Sequence, residues 1–115
     1  MSVARIDPFA LKARFDAGEP LVLLDVREAF ERDIATISVP ITVVEIAIPM
    51  REITSRIDEL TSLANGRTVV VYCHHGQRSM VAARWLDATR LADVANLEGG
   101  IDLWTARIDP STPSY

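Results

Sequence analysis

Two short apolar runs constrain the fold of this chain more than any other feature. Residues 21–24 and 68–72 carry apolar or β-branched side chains at consecutive positions, and they end at Asp25 and Cys73 respectively. Such runs are typical of strands in a parallel sheet that helices cover on both faces. Because ligands bind beyond the carboxyl ends of parallel strands, the residues that follow these runs are candidates for a functional site.

Segments with helical spacing of apolar residues alternate with strand-like runs along the chain. Helices are predicted at about 8–16, 28–33, 53–64, 80–91 and from Ile101 onward, and further strands within 41–48 and at 94–97. We expect Val81, Trp85, Leu86 and Trp104 to face the core. The alternation predicts one α/β domain, residues 1–115, with a mostly parallel central sheet between helices.

Charge and composition argue against several classes of partner. The formal net charge is −4 with a single lysine, Lys12, whereas nucleic acids and anionic membranes require clustered basic residues. No apolar run approaches the length of a membrane span, and residues 1–8 lack the apolar core of a signal peptide, so we expect a cytoplasmic protein. The single cysteine, Cys73, excludes an intrachain disulfide and a multi-cysteine metal site.

The segment that follows residues 68–72 has the composition of a nucleophile in an anion-binding loop. Cys73 is followed by a short polar loop that leads into a predicted helix. A loop of this kind can direct several backbone N–H groups to one point, and the helix N-terminus adds partial positive charge. This field favours the thiolate of Cys73 over the thiol. Arg78 adds a permanent charge, and Gly76 can adopt the positive φ of a tight loop.

Three segments resemble the rhodanese-like family and occur in the family's order: 24–28 (LDVRE), 73–79 (CHHGQRS) and 97–104 (LEGGIDLW). The resemblance spans nearly the whole chain and implies a three-layer fold with a five-stranded sheet. It also implies a sulfurtransferase. Cys73 would attack the sulfane sulfur of a donor such as thiosulfate or a persulfide, hold it as a persulfide, and yield it to a thiol, cyanide or a protein. No metal or organic cofactor is implied.

The predicted site extends beyond Cys73. The expected substrate-binding residues are His74, His75, Gly76, Gln77, Arg78 and Ser79. By the resemblance, Asp25 is expected to accept hydrogen bonds from nearby backbone, and Arg27 to pair with an acidic neighbour, both as structural support. A metal at His74 and His75 is disfavoured, because consecutive loop side chains are expected to point apart and no carboxylate is paired with them.

Two other functions stay open. A non-catalytic interaction module would use residues 35–49, where the chain departs from the family: residues 35–40 lack the expected glycine and basic residue, and the stretch to Pro49 is longer. Residues 41–48 would add a strand to the sheet edge or expose an apolar patch. A phosphatase or arsenate reductase is less favoured, because four residues separate Cys73 from Arg78. The related cell-cycle dual-specificity phosphatases place one residue more there.

Overall fold

The apolar runs form the middle of a parallel sheet. In a computed structural model, which describes residues 3–89 and 93–115, the strands are β1 (Ala4–Ile6), β2 (Leu21–Asp25), β3 (Val43–Ala47), β4 (Thr68–Tyr72) and β5 (Val94–Leu97). They are hydrogen-bonded in the order β1-β5-β4-β2-β3, and every pair is parallel. The prediction of an α/β fold with a central five-stranded sheet is confirmed.

Helices connect the strands and cover both faces of the sheet. They are α1 (Pro8–Asp16), α2 (Ala29–Ile34), α3 (Ile57–Ala64), α4 (Gln77–Ala88) and α5 (Gly100–Arg107). Apolar residues of α1 and α5 pack on one face, and those of α3 and α4 on the other. Within the described residues, no helix has both the length and the apolar character that crossing a bilayer requires.

The alternation of side chains along β4 decides where the cysteine lies. Val69 and Val71 pack in the cluster beneath α3 and α4, whereas Val70 and Tyr72 pack beneath α1 and α5. Cys73 continues this alternation and belongs to the α3–α4 side, where it is almost fully buried. The chain therefore delivers the thiol directly under the first turn of α4.

The buried face of α4 differs from the prediction. Val81 and Trp85 are 55% and 37% exposed, while the helix buries Ser79, Ala82, Ala83 and Leu86. Hydropathy ranks Val and Trp above Ala and Ser as candidates for burial, so the prediction that Val81 and Trp85 face the core is wrong. Small side chains let the helix axis lie close to β4 and β5. Helix α4 also begins three residues earlier than expected, and its predicted end at Leu91 lies outside the described residues.

Three other local features were missed or only partly predicted. Strand β1 has three residues, of which only Ile6 is buried, so its sequence carries no strand pattern. The start of the helix predicted at 53–64 is a 3₁₀ turn, Thr54–Arg56, ahead of α3. The stretch 41–48 does contain a strand, β3, which pairs with β2 at the edge of the sheet and leaves Ile41 fully exposed in the preceding turn.

The orientation of α4 predicts the effect of two truncations on the same helix. Leu86→Ala should lower the free energy of unfolding by about 2–5 kcal/mol, because it opens a cavity in the packed cluster. Val81→Ala, on the exposed side, should change it by less than about 0.5 kcal/mol. Urea unfolding of both variants measures the two values. Equal losses would contradict the observed orientation.

Candidate active site

The sulfur of Cys73 is surrounded by hydrogen-bond donors. Sγ accepts the backbone N–H of Gly76 at 3.1 Å and that of Ser79 at 3.4 Å, and it lies 3.3 Å from the Ser79 hydroxyl oxygen. Cys73 itself is 1% exposed. Donors that converge on one atom at a helix N-terminus stabilise negative charge there. The arrangement therefore suits a thiolate, or an anionic sulfur attached to it.

Gly76 holds its conformation by contact with β5. Its φ is +96°, and a Cβ atom at this position would lie 3.2 Å from the nitrogen of Gly99 and 3.3 Å from the carbonyl oxygen of Leu97. The carbonyl of Gly76 accepts a hydrogen bond of 3.1 Å from Nδ2 of Asn96. These contacts fix the position of Gly76, whose N–H is directed at Sγ.

The first turn of α5 holds the start of the loop. The N–H groups of Ile101 and Asp102 donate to the carbonyl oxygens of Cys73 and His74 at 2.9 and 3.0 Å. Gly100 makes this close approach feasible, since a Cβ there would lie 2.4 Å from the Cys73 carbonyl oxygen. The loop is thus docked by backbone hydrogen bonds on a helix that the sequence places almost thirty residues later.

Arg78 forms an ion pair with a carboxylate that the sequence did not indicate. Its Nη1 and Nη2 donate to the two oxygens of Glu31 at 2.8 and 2.7 Å. These hydrogen bonds lower the pKa of Glu31 to about 2 and raise that of Arg78 above its usual value. Helix α2 buries Glu31 at 5% exposure while it leaves Phe30 65% exposed. The ion pair, rather than an apolar stripe, therefore attaches this side of α2 to the site.

Asp25 and Arg27 form a buried pair beside the loop. The Arg27 side chain donates from Nε and Nη2 to the two Asp25 oxygens at 2.9 and 2.8 Å, and its backbone N–H donates to Oδ1 at 3.0 Å. Tyr72 donates its hydroxyl to Oδ2 at 3.1 Å. Burial alone would lower the pKa of Arg27, but hydrogen bonds to Asp25 and Tyr115 raise it. The Tyr72 hydroxyl therefore links this pair, at the end of β2, to the end of β4.

The two histidines adopt an arrangement that the sequence analysis did not foresee. The His74 ring stacks on Tyr115 at a centroid distance of 3.8 Å and an angle of 6°, and it also lies 3.8 Å from the ring of His75. Potential ligand atoms of His74, His75 and Asp102 fall within 4.8 Å of one another, so this group could hold a metal ion. The expected divergence of the histidines is wrong, and a carboxylate is near them; the absence of a metal stays a prediction.

The predicted binding residues occupy three different environments. Gly76 and Ser79 direct backbone donors at Sγ, and Arg78 is held by Glu31. His75 and Gln77 are exposed at the surface. Glu31 and Asn96 could not be selected from the sequence, because a glutamate in a short helix and an asparagine in a short strand are normally ordinary surface or turn residues. Their contacts with the loop exist only in the folded chain.

A family model for the rhodanese-like domain matches residues 7–107, and the chain belongs to this family. It is 34% identical over 116 residues to the adenylyltransferase and sulfurtransferase MOCS3-2 of Zea mays, with 97% of this chain and 23% of that protein covered. The putative sulfur carrier protein YrkF of Bacillus subtilis is 32% identical, with 94% of this chain and 54% of that protein covered. The chain thus spans about a quarter to a half of these relatives.

Among solved structures, the fold is similar to that of a rhodanese-like domain protein from Staphylococcus aureus. The TM-score is 0.74 at 26% sequence identity, and the match covers 98% of this chain and 99% of that one. The resemblance to rhodanese-like proteins that the three sequence segments indicated is therefore confirmed over the whole described fold.

The Glu31–Arg78 pair predicts a pH-dependent part of the stability. The folded pKa of Glu31, about 2, lies below its unfolded value, so the stabilisation is complete above about pH 5 and is lost as the pH falls toward 2. Glu31→Gln should lower the free energy of unfolding by about 1–3 kcal/mol at pH 7, and the difference from wild type should shrink in acid. Urea unfolding between pH 7 and 2.5 measures it.

A surface pair serves as the control for that experiment. Glu19→Gln removes the partner of Arg14 at a half-buried position near the surface, and we expect a smaller effect at pH 7. If Glu31→Gln and Glu19→Gln had the same pH profile, the special contribution of the Glu31–Arg78 pair would be refuted.

Substitution of Gly66 and of Gly100 distinguishes the cost of a strained backbone conformation from the cost of moving the Cys73 loop away from α5. Gly66 has φ +82° with open space around it, so Gly66→Ala should cost only about 1–2 kcal/mol for the left-handed conformation. Gly100→Ala adds a collision with the Cys73 and His74 backbone and should cost more, and it should change the alkylation rate of Cys73. Urea unfolding and iodoacetamide kinetics test this. Equal effects of the two substitutions on both measurements would contradict it.

Proposed function

We propose that the protein is a cytoplasmic sulfurtransferase in which Cys73 carries a sulfane sulfur from a donor to an acceptor. The observation that carries the proposal is the convergence of the Gly76 and Ser79 N–H groups on a buried sulfur. Activated cysteine nucleophiles require stabilisation of the thiolate by such donors. Two relatives whose names include "sulfurtransferase" and "sulfur carrier" support the same class of chemistry.

The proposed reaction has two displacement steps. In the first, the Cys73 thiolate attacks the sulfane sulfur of a thiosulfate-like donor. A bond forms between Sγ and that sulfur, the bond from the sulfur to the sulfonate group breaks, and its electron pair leaves with sulfite. In the second, an acceptor thiolate or cyanide attacks the outer sulfur of the persulfide, and the electron pair of the broken S–S bond returns to Cys73. No cofactor is required for either step.

The state of Arg78 favours sulfur transfer over phosphatase or arsenate reductase activity. Recognition of a phosphate dianion typically uses an arginine that donates two hydrogen bonds to it. Here both terminal nitrogens of Arg78 already donate to Glu31. The four-residue spacing from Cys73 to Arg78 leaves a small ring, which suits one additional sulfur atom. A persulfide needs only donors around a single negative charge, and the loop supplies them.

One observation favours the interaction module as a second candidate. Ile41 is fully exposed in the turn before β3, and Phe30 and Ile34 of α2 are also exposed. Exposed apolar side chains of this size are frequent at protein interfaces. A module of this kind would not require the thiol of Cys73, so its binding would survive replacement of that residue.

Mass spectrometry of the intact protein after incubation with thiosulfate tests the proposed function. We expect a gain of one sulfur atom on Cys73, which cyanide reverses with release of thiocyanate. Cys73→Ser should abolish the gain and reduce transfer by at least about a thousandfold, as expected when a nucleophile is removed. Ser79→Ala, which keeps the backbone donor, serves as the matched control and should still load sulfur. The proposal fails if no sulfane donor modifies Cys73, or if Cys73→Ser transfers sulfur equally well.

A further inference from the structure

The side chain of Tyr115 lies against the residue that follows Cys73. Its ring stacks on the ring of His74 at a centroid distance of 3.8 Å and an interplanar angle of 6°. The His74 ring also lies 3.8 Å from the ring of His75. Stacked rings attract one another beyond the effect of the area that they bury. His74 is therefore held by two rings, one of which belongs to a distant segment of the chain.

The hydroxyl of Tyr115 lies between the two ion pairs that flank the loop. It accepts a hydrogen bond of 2.8 Å from Nη1 of Arg27 and donates one of 3.4 Å to Oε1 of Glu31. Arg27 is paired with Asp25, and Glu31 holds Arg78. Burial raises the pKa of Tyr115, so the hydroxyl keeps the proton that it donates to Glu31. One side chain thus contacts both ion pairs and the start of the loop.

The segment after α5 folds back, which brings Tyr115 to this position. The N–H of Thr112 donates to the carbonyl oxygen of Asp109 at 3.0 Å, and Thr112 is buried. Tyr115 packs against the apolar cluster beneath α1 and α5. It lies outside residues 7–107, over which the chain matches the family model. The contacts of Tyr115 with the loop are therefore not part of the family match.

His74 connects Tyr115 to the donors around the sulfur. It follows Cys73 directly and lies two positions before Gly76, whose N–H donates to Sγ at 3.1 Å. The carbonyl of His74 accepts the N–H of Asp102 at 3.0 Å, so α5 holds its backbone while Tyr115 holds its ring. Movement of His74 would displace the N–H of Gly76. Small displacements of positioned groups lower reaction rates steeply.

We propose that Tyr115 is a positioning residue of the Cys73 site, which holds His74 and, through His74, the backbone donors to Sγ. The effect on turnover rests on the proposed function, whereas the effect on the geometry of the loop does not. The contacts of the hydroxyl with Arg27 and Glu31 keep the ring in place, but the ring itself contacts the loop. Loss of the ring should therefore have a larger effect than loss of the hydroxyl.

Hydrogen exchange measured by NMR tests the positioning without sulfur chemistry. In Tyr115→Leu protein, the amide protons of Gly76 and Ser79 should exchange about twofold to tenfold faster than in wild type, because the loop opens more easily. Tyr115→Phe keeps the ring and should give a smaller increase. Phe15 packs on Trp104 in the same apolar cluster, so Phe15→Leu is the matched control and should leave both exchange rates unchanged. Wild-type rates in Tyr115→Leu, or an equal increase in Phe15→Leu, overturn the proposal.

Turnover then tests the role of Tyr115 in the reaction. For transfer from thiosulfate to cyanide, Tyr115→Leu should lower kcat/KM for thiosulfate at least about fivefold per folded molecule. Tyr115→Phe should recover most of this loss, and Phe15→Leu should keep the wild-type value. Wild-type turnover by Tyr115→Leu, or equal losses in both Tyr115 variants, overturns the proposal. If the wild type transfers no sulfur while exchange at Gly76 still depends on Tyr115, the sulfurtransferase function fails and the positioning of the Cys73 loop stands.

Discussion

The conformation of the loop around Cys73 depends on hydrogen bonds that its carbonyl groups accept from α5 and β5. The first turn of α5 donates to the carbonyls of Cys73 and His74, and Asn96 donates to that of Gly76. With these carbonyls held outward, the N–H groups of Gly76 and Ser79 remain for the sulfur. Each of these bonds joins segments that are distant in sequence. The arrangement of donors around Sγ of Cys73 therefore depends on how α5 and β5 contact the loop.

Two arginine–carboxylate pairs fix the surroundings of this loop. Asp25 and Arg27 are buried together, and both Glu31 and Tyr115 extend the network toward Arg78 and Arg27. A buried pair contributes little net stability compared with apolar packing, but removal of either partner leaves an uncompensated charge. The pairs thus hold the ends of β2, β4 and α2 in one arrangement. They also hold the Arg78 guanidinium in two hydrogen bonds to Glu31.

The structure divides the region around the loop into two compartments. Sγ is almost fully buried and accepts the N–H groups of Gly76 and Ser79, whereas a separate cavity that Gly76 and Gln77 help to line is not lined by Cys73. In the proposed reaction, the burial of Sγ among backbone donors protects the sulfur that Cys73 carries. Under the proposed function, the single cysteine has no second thiol in the sequence to take the sulfur, so the sulfur would pass to another molecule.

The sequence by itself determined the fold class, because the runs at 21–24 and 68–72 can be satisfied only between two layers of helices. It also indicated Cys73 as a candidate nucleophile, because a polar loop between a buried strand and a helix N-terminus can direct backbone N–H groups at a thiolate. Strand β1 and the buried face of α4 were decided by tertiary packing, in which Ala82 and Ala83 approach the sheet and Val81 does not. The contacts of Glu31 and Asn96 with the loop were also decided by tertiary packing, because Glu31 pairs with Arg78 and Asn96 donates to Gly76, both distant along the chain. Local sequence patterns cannot predict contacts that form only when the strands and helices assemble.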